Sequence, residues 1–353
     1  MSAKNRKILL GLSGWVDSAV AAYLLQLEWY DVTAGFMINY MAPEGEYCPT
    51  KEDLEVAKEV AEYLKIPFFT FDYREEYEKK VLDYMYEGYR KWITPNPDIM
   101  CNSEIKFKVF LDEALELGFD AVATGHYARI LEQDNYFKLL KWVDNSKDQS
   151  YFLAGLTQDQ LSKALFPIGD LEKSQVRDIA RETWLPNAER KESQWICFVW
   201  KVDIKEFLQK KIPNSIWEVY DTSWKLLWTH KGVFYYTIWQ RKWLDIWGMP
   251  EPIFVVDKDI KNNKLIVWYG KDDELYSDKL ESGSIHFLWK KYTLPKKCEA
   301  KIRYRQADQS CELREVDWQY QIQFSEKQRA IASGQIVALY DGEELWGSAI
   351  IGS

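Results

Sequence analysis

The chain has 353 residues, is 47% hydrophobic and carries a formal net charge of −9 at neutral pH. That length predicts two or three domains, no apolar run reaches the roughly 18 residues of a membrane span, and the acid excess excludes indiscriminate nucleic-acid binding while leaving room for a local basic surface. Five cysteines, odd in number and widely spaced, exclude a secreted disulfide scaffold; with no long apolar region at the start, they predict a cytoplasmic protein with one or two working thiols.

Residues 8–10 form an apolar run that reads as a buried strand, and residues 19–27 follow with helical periodicity. Between them lies Gly11-Leu12-Ser13-Gly14-Trp15-Val16-Asp17-Ser18. A loop from a strand into a helix N-terminus presents backbone N–H groups and the positive end of the helix dipole to an anion. Ser13 and Ser18 add hydroxyls, and Asp17 suits either a Mg²⁺ or a helix cap. Strands at 31–37, 68–71 and 121–124 alternate with helices at 51–64 and 104–117. This alternation predicts an α/β architecture with a parallel, Rossmann-like sheet. Ligands then bind at the C-terminal strand ends, where Ser13, Met37, Gly125 and His126 fall.

Two prolines hold Thr94-Pro95-Asn96-Pro97-Asp98 in an extended or turning loop, and a helix is expected to begin near Asn102. Cys101 would then sit by a helix N-terminus, which favours thiolate; an inert buried thiol beside a cap reads equally well. Lys147-Asp148-Gln149-Ser150 is a polar cluster ahead of the aromatic Tyr151-Phe152. Residues 173–183 read as an amphipathic helix. Cys197 lies in a short apolar run and by itself reads as a small core hydrophobe. After a helix at 204–211 the pattern turns to short β-rich runs at 234–238, 253–256, 264–268, 285–288, 320–324 and 335–340, as in small antiparallel sheets or a barrel. Within it, residues 290–305 hold Lys290, Lys291, Lys296, Lys297, Lys301, Arg303 and Arg305 against the single acid Glu299. This stripe fits phosphate contacts or a lysine-guarded strand edge.

The tryptophans are anomalous. There are 17, as many as the glycines, and glycine at about 5% is below its usual share of roughly 7%. Trp29 ends a helix where Gly118 does the same job later. Trp224 and Trp318 occupy turns that want glycine. Trp239, Trp243 and Trp247 crowd one β-rich stretch. Two explanations stand: a truly tryptophan-rich protein, or glycine codons read as tryptophan. UGA is the obvious codon, since different genetic codes assign it to either residue.

The loop at Gly11–Ser18 resembles the SGGxDS loop of the PP-loop ATP pyrophosphatases, with Trp15 in the place of a glycine. Asn96-Pro97-Asp98 with Cys101-Asn102, Thr124-Gly125-His126-Tyr127, Lys147 to Tyr151, Ile196-Cys197-Phe198 and Tyr236 to Lys242 follow in the order found in the tRNA-specific 2-thiouridylase family, which the whole chain resembles. The resemblance implies an N-terminal PP-loop domain at 1–203, a central linker domain at 204–275 and a tRNA-contacting antiparallel β-barrel at 276–353. It implies ATP with Mg²⁺ bound by Gly11, Leu12, Ser13, Gly14, Trp15, Val16, Asp17, Ser18, Met37 and Gly125, and no metal fixed by the protein alone. Asn96, Pro97 and Asp98 would contact the target uridine. His126, Lys147, Asp148, Gln149, Arg303, Tyr304 and Gln335 would engage tRNA. Cys197 would receive sulfur as a persulfide from a donor protein, Cys101 would release it, with a Cys101–Cys197 disulfide as one outcome, and Asp98 would serve as acid or base. Cys48, Cys298 and Cys311 match no motif and read as structural. An indole at 15 would take volume the phosphates need, and Trp195 would crowd Cys197. A tRNA-binding protein without turnover, or a PP-loop synthetase using ammonia, are the other readings.

Overall fold

The structure, a computed structural model, describes residues 6–42, 45, 47–91, 93–144, 146–191, 204–209, 211, 216–230, 236, 251, 253–259, 262, 264–269 and 276–352. Its first layer is a parallel sheet. Strands β1 (Lys7–Gly11), β2 (Asp31–Ile38), β3 (Phe68–Asp72) and β4 (Ala121–Ala123) match the expected runs within a residue or two. The hairpin β5 (Arg129–Gln133) and β6 (Tyr136–Leu140) leaves this sheet, and β7 (Ala164–Leu165) rejoins it, giving the order β3-β2-β1-β4-β7. The chain winds outward from β1 through β3, then returns to place β4 on the other side of β1. That reversal opens a crevice at the C-terminal ends of β1 and β4.

Ile8, Leu9 and Leu10 are fully buried because both sheet faces are covered. Helix α1 (Val16–Leu27) lays Ala19, Val20, Ala22 and Leu25 on one face, and α2 (Pro49–Leu64) adds Ala57, Val60 and Ala61. The small residues let the helices approach closely. Beneath the other face, one apolar cluster runs without a break from Leu9 and Phe110 to Tyr340 and Leu345.

In the middle of the chain β8 (Trp217–Asp221), β9 (Leu226–His230), β10 (Ile253–Asp259) and β11 (Lys264–Tyr269) form a four-stranded sheet in the order β10-β11-β8-β9. The β11–β8 pair is parallel, so this sheet is mixed rather than wholly antiparallel as expected. The run at 234–238 lies outside the described residues, except Tyr236.

The last sheet contains β12 (Tyr276–Ser282), β13 (His286–Phe287), β14 (Lys296–Lys301), β15 (Gln309–Val316), β16 (Gln319–Arg329), β17 (Ile336–Asp341) and β18 (Glu344–Ile350). Every pair in it is antiparallel, in the order β12-β16-β15-β14-β17-β18. Gly352 N–H donates to the Glu281 carbonyl at 2.8 Å, so the segment after β18 returns to β12. The β5–β6 hairpin extends the same sheet, since β6 pairs with β18. The N-terminal part of the chain thus supplies two strands to the C-terminal sheet. Among the described residues, no helix is long and apolar enough to cross a membrane.

Candidate functional site

The crevice between β1 and β4 holds a cavity of about 240 Å³. Gly11, Leu12, Ser13, Trp15, Asp17, Ser18, Met37 and Gly125 line it, as expected from the loop motif, and His126 and Gln149 join them. Gly14 and Val16 do not. Gly14 lies beneath the loop at φ +78°, where an added Cβ would stand 2.4 Å from the Asp53 carbonyl oxygen. Its own carbonyl accepts from Asn187 Nδ2 at 2.9 Å and Arg190 Nη1 at 3.0 Å. Val16 faces the core.

The loop is held open by its own hydroxyls. Ser13 N–H donates to Ser18 Oγ at 3.1 Å, the two hydroxyls lie 3.0 Å apart, and Ser18 Oγ donates to the Trp15 carbonyl at 3.0 Å. Across the crevice, Gly125 is required by contact. A Cβ there would sit 2.7 Å from Ser18 N and 2.8 Å from Asp17 C. Asp17 accepts from the Tyr127 hydroxyl and from Lys173 Nζ, both at 2.6 Å. Tyr127, which belongs to a sequence motif but was given no role, and Lys173, which the sequence did not single out, are functional candidates. Their partner lies 110 and 156 residues away, beyond any local motif.

The indole of Trp15 sits in this cavity wall, with the Arg190 guanidinium 4.0 Å from its ring. Arg190 also pairs with Asp53.

The segment carrying Cys101 departs from expectation. Its helix starts at Pro97, not near Asn102: Asn96 is the N-cap, accepting from Ile99 N–H at 3.3 Å, and Pro97 occupies the first turn. Asn-Pro here is a helix start, not a loop signal. The helix continues through a π-helical stretch, Cys101–Val109, into Phe110–Glu116. Cys101 therefore lies past the first turn, its N–H already bonded to Pro97 and Asp98 carbonyls, and its side chain is buried. The helix-end argument for a depressed thiol pKa does not apply to it. π-Stretches gather at functional sites, and this one carries Lys106 into the cavity wall.

Lys106 links the two halves of the site. Its charge acts on both Asp98 and His126. Burial raises the Asp98 carboxyl to about 6, partly opposed by Lys106. Burial also drives His126 well below the ordinary imidazole range, with Lys106 pushing the same way. His126 is therefore neutral, and its Nδ1 lies 2.7 Å from Thr124 Oγ1.

The residues expected to engage tRNA do not share one setting. Gln149 pairs both ways with the Tyr127 backbone, at 2.9 Å each. Asp148 is buried and fully engaged, accepting from Trp142 N–H, Ser150 N–H, Ser150 Oγ and Lys301 Nζ. Lys301, expected in the basic stripe, is buried with it. Lys147 is half-exposed. At the barrel, Arg303 is exposed, and Tyr304 packs on Phe152 with ring centroids 4.5 Å apart. Tyr151 beside it touches Asn96 and feels the Arg303 charge. Gln335 Nε2 donates to the Thr94 carbonyl at 2.9 Å. The loop before Pro97 and the Arg303–Tyr304 corner therefore share one mouth. Cys197, Trp195, Trp239 and Trp243 lie outside the described residues. Cys298 and Cys311 face each other across β14 and β15 with Sγ atoms 3.6 Å apart, away from this site.

The tRNA methyl transferase HUP domain family matches residues 6–201, the tRNA methyl transferase PRC-barrel domain family residues 205–268, and the Aminomethyltransferase beta-barrel domain family residues 277–351. The chain is 44% identical over 352 residues to the tRNA-specific 2-thiouridylase MnmA of Shouchella clausii, covering 99% of this chain and 97% of that one. It is 44% identical over 358 residues to the enzyme of the same name from Staphylococcus aureus, covering 99% and 96%. Against that of Chromobacterium violaceum it is 44% identical over 354 residues, covering 98% and 92%. With three domains matched in order and similarity along its full length, the chain belongs to the tRNA-specific 2-thiouridylase family.

Proposed function

We propose that this chain is an ATP-dependent tRNA-uridine 2-sulfurtransferase acting on the wobble uridine. The oxygen at C2 of uridine is a poor leaving group. ATP, when bound, supplies the adenylyl group with which that oxygen departs as AMP, pyrophosphate having been released first. The cavity suits the triphosphate. The α1 N-terminus, Ser13 and Ser18 line it, and Gly11 and Gly125 add no side chain to it, while the Trp15 indole narrows it. Asp17 and Asp53 are two carboxylates in the same wall, paired with Lys173 and Arg190; of them Asp17 would hold the Mg²⁺ that arrives with the substrate phosphates.

In this reading Lys106 neutralises negative charge between the nucleotide and the base, and Asp98 handles a proton at the uridine. Asn96 and Pro97 shape the base site, and Arg303 and Tyr304 hold the anticodon arm. The sulfur comes from a donor protein as a persulfide on Cys197. Its terminal sulfur attacks C2, the C2–O bond breaks, and Cys101 then attacks Cys197 to free the thiouridine and leave a Cys101–Cys197 disulfide, or acts so that hydrosulfide is the nucleophile. The observation that carries the reading is Lys106, which joins the cavity to the Asn96–Asp98 segment. An ammonia-using synthetase needs no paired thiols, and full-length identity to thiouridylases disfavours it.

The test is thionucleoside analysis of tRNA from a thiolation-deficient bacterium expressing this chain, its Cys101→Ser and Cys197→Ser variants, and a form with glycine at the anomalous tryptophans. Restored 2-thiouridine that is lost in both cysteine variants is expected. Its absence with every form sinks the reading.

A further inference from the structure

We infer that Trp29, Trp184, Trp224 and Trp318 occupy glycine sites, and that the source organism inserts glycine at them. The argument rests on the backbone and is independent of the proposed activity. All four lie in the left-handed region, at φ 65°, 54°, 62° and 64°. A bulky side chain is an outlier there, because its Cβ crowds the following carbonyl.

Each residue also sits at the glycine position of a defined motif. After α1, Trp29 N–H donates to the Gln26 carbonyl and Tyr30 N–H to the Leu25 carbonyl, at 3.0 and 3.1 Å. After helix Lys173–Glu182, Trp184 N–H donates to Arg181 and Leu185 N–H to Ala180, both at 3.0 Å. Those are the paired bonds of a Schellman helix end, whose left-handed residue is usually glycine. The chain builds the same end after Phe110–Glu116, with Gly118 N–H to Leu115 and Phe119 N–H to Ala114 and glycine at φ 86°, and after α2, where Lys65 takes φ 55°. Asp317 and Trp318, both at positive φ, form the two-residue loop between paired Val316 and Gln319. This is the type I′ hairpin, for which Asp-Gly is a favoured pair. Trp224 closes a three-residue loop next to a register shift in β8–β9, the place of the glycine in a G1 bulge.

The indoles bury little, although that of Trp224 lies 6.0 Å from the Tyr220 ring and 5.5 Å from Lys264 Nζ. The four residues are 59–92% exposed. Trp142 and Trp346 behave otherwise: both are fully buried, and Trp142 Nε1 donates to the Leu171 carbonyl at 2.7 Å. Among the described residues, some tryptophans are thus packed as tryptophan and these four are placed as glycine. A single codon with two meanings, UGA, accounts for the four. Trp15 has an ordinary extended backbone at φ −93° and ψ 156°, so its geometry does not demand glycine. A UGA codon at position 15 would place it with the four. Glycine there removes the indole from the nucleotide cavity and uncovers one face of Arg190.

The experiment has two arms. The first reads the coding DNA and the peptide masses of the protein isolated from its source. UGA codons and glycine masses at 29, 184, 224 and 318, with UGG and tryptophan masses at 142 and 346, are expected; UGG at the four sites overturns the inference. The second arm compares purified variants in a standard host. Trp29→Gly, Trp184→Gly, Trp224→Gly and Trp318→Gly should each raise the melting temperature, by on the order of 1–2 °C, and Trp346→Gly should lower it sharply. A fall in melting temperature at the four sites counts against it, whatever the thiolation result.

Discussion

Gly125 and Asp98 show how much of the site turns on single atoms. A methyl group at Gly125 would meet backbone atoms of Asp17 and Ser18, at 2.8 and 2.7 Å, and the α1 N-terminus cannot yield as a side chain would. Gly125→Ala should cost about 1–3 kcal/mol of stability, the usual toll of overpacking, and should weaken ATP binding as the crevice is forced open. Equilibrium denaturation and nucleotide titration check both. Asp98 gives a pH signature. Its folded pKa of about 6 exceeds its ordinary 3.8, so the folded state holds the proton more tightly. Stability should therefore fall as pH rises from about 4 to 6, and Asp98→Asn should be more stable than the parent at pH 7 but equal to it below pH 4. If Asp98 also accepts a proton in the reaction, the thiolation rate should rise through an acid limb near pH 6 that the variant lacks. The loop residues were legible because their chemistry is local, eight consecutive positions between a strand and a helix. The placement of Lys106 and Lys173 was not, since each reaches the cavity wall or Asp17 only through a fold that joins residues distant in sequence.

At the scale of the element, the helix that begins at Pro97 carries Asp98, Cys101 and Lys106. It starts five residues ahead of the expected Asn102 because proline after asparagine signals both a turn and a helix N1. The first turn places Asp98, the second Cys101, and the π-stretch turns Lys106 toward the cavity. The π-stretch has no sequence signature, so the direction of Lys106 could not be foreseen. Asn96→Ala removes the cap bond to Ile99 N–H. It should destabilise the chain by about 1 kcal/mol and reduce thiolation by displacing Asp98. ATP affinity should be unchanged, because the loop at Ser13 and the Gly125 turn belong to other elements. A drop in ATP affinity equal to the drop in thiolation would contradict that division.

The whole molecule is joined where the sequence suggested a division. Strand periodicity and composition separate an α/β region from a β-rich one correctly, but cannot reveal that β6 pairs with β18 or that a buried charge pair spans the junction. Lys301 on β14 reaches Asp148 beside the α/β layer, both almost fully buried, with Asp308 close by. Tyr151 Oη donates to the Ile336 carbonyl at 2.9 Å and Ser348 Oγ to the Ala154 carbonyl at 2.7 Å. Asp148 looked like a surface contact because a polar cluster before an aromatic run usually is one; here the barrel covers it. Two consequences follow from a junction of this kind. Lys301→Met leaves the Asp148 carboxylate buried with only part of its partners, and loss of one member of a buried pair costs about 3–5 kcal/mol. Replacing both, as Asp148→Asn with Lys301→Met, should cost clearly less than the sum of the two single changes. The α/β layer and the barrel, sharing one apolar cluster and one sheet, should also melt together. Calorimetry of the parent chain should show a single transition covering both parts, and Lys301→Met should split it, with the barrel unfolding first. Two separate transitions in the parent would mean that the shared sheet does not couple the layers, and Arg303 and Tyr304 would then not be held in register with the Asn96–Asp98 mouth.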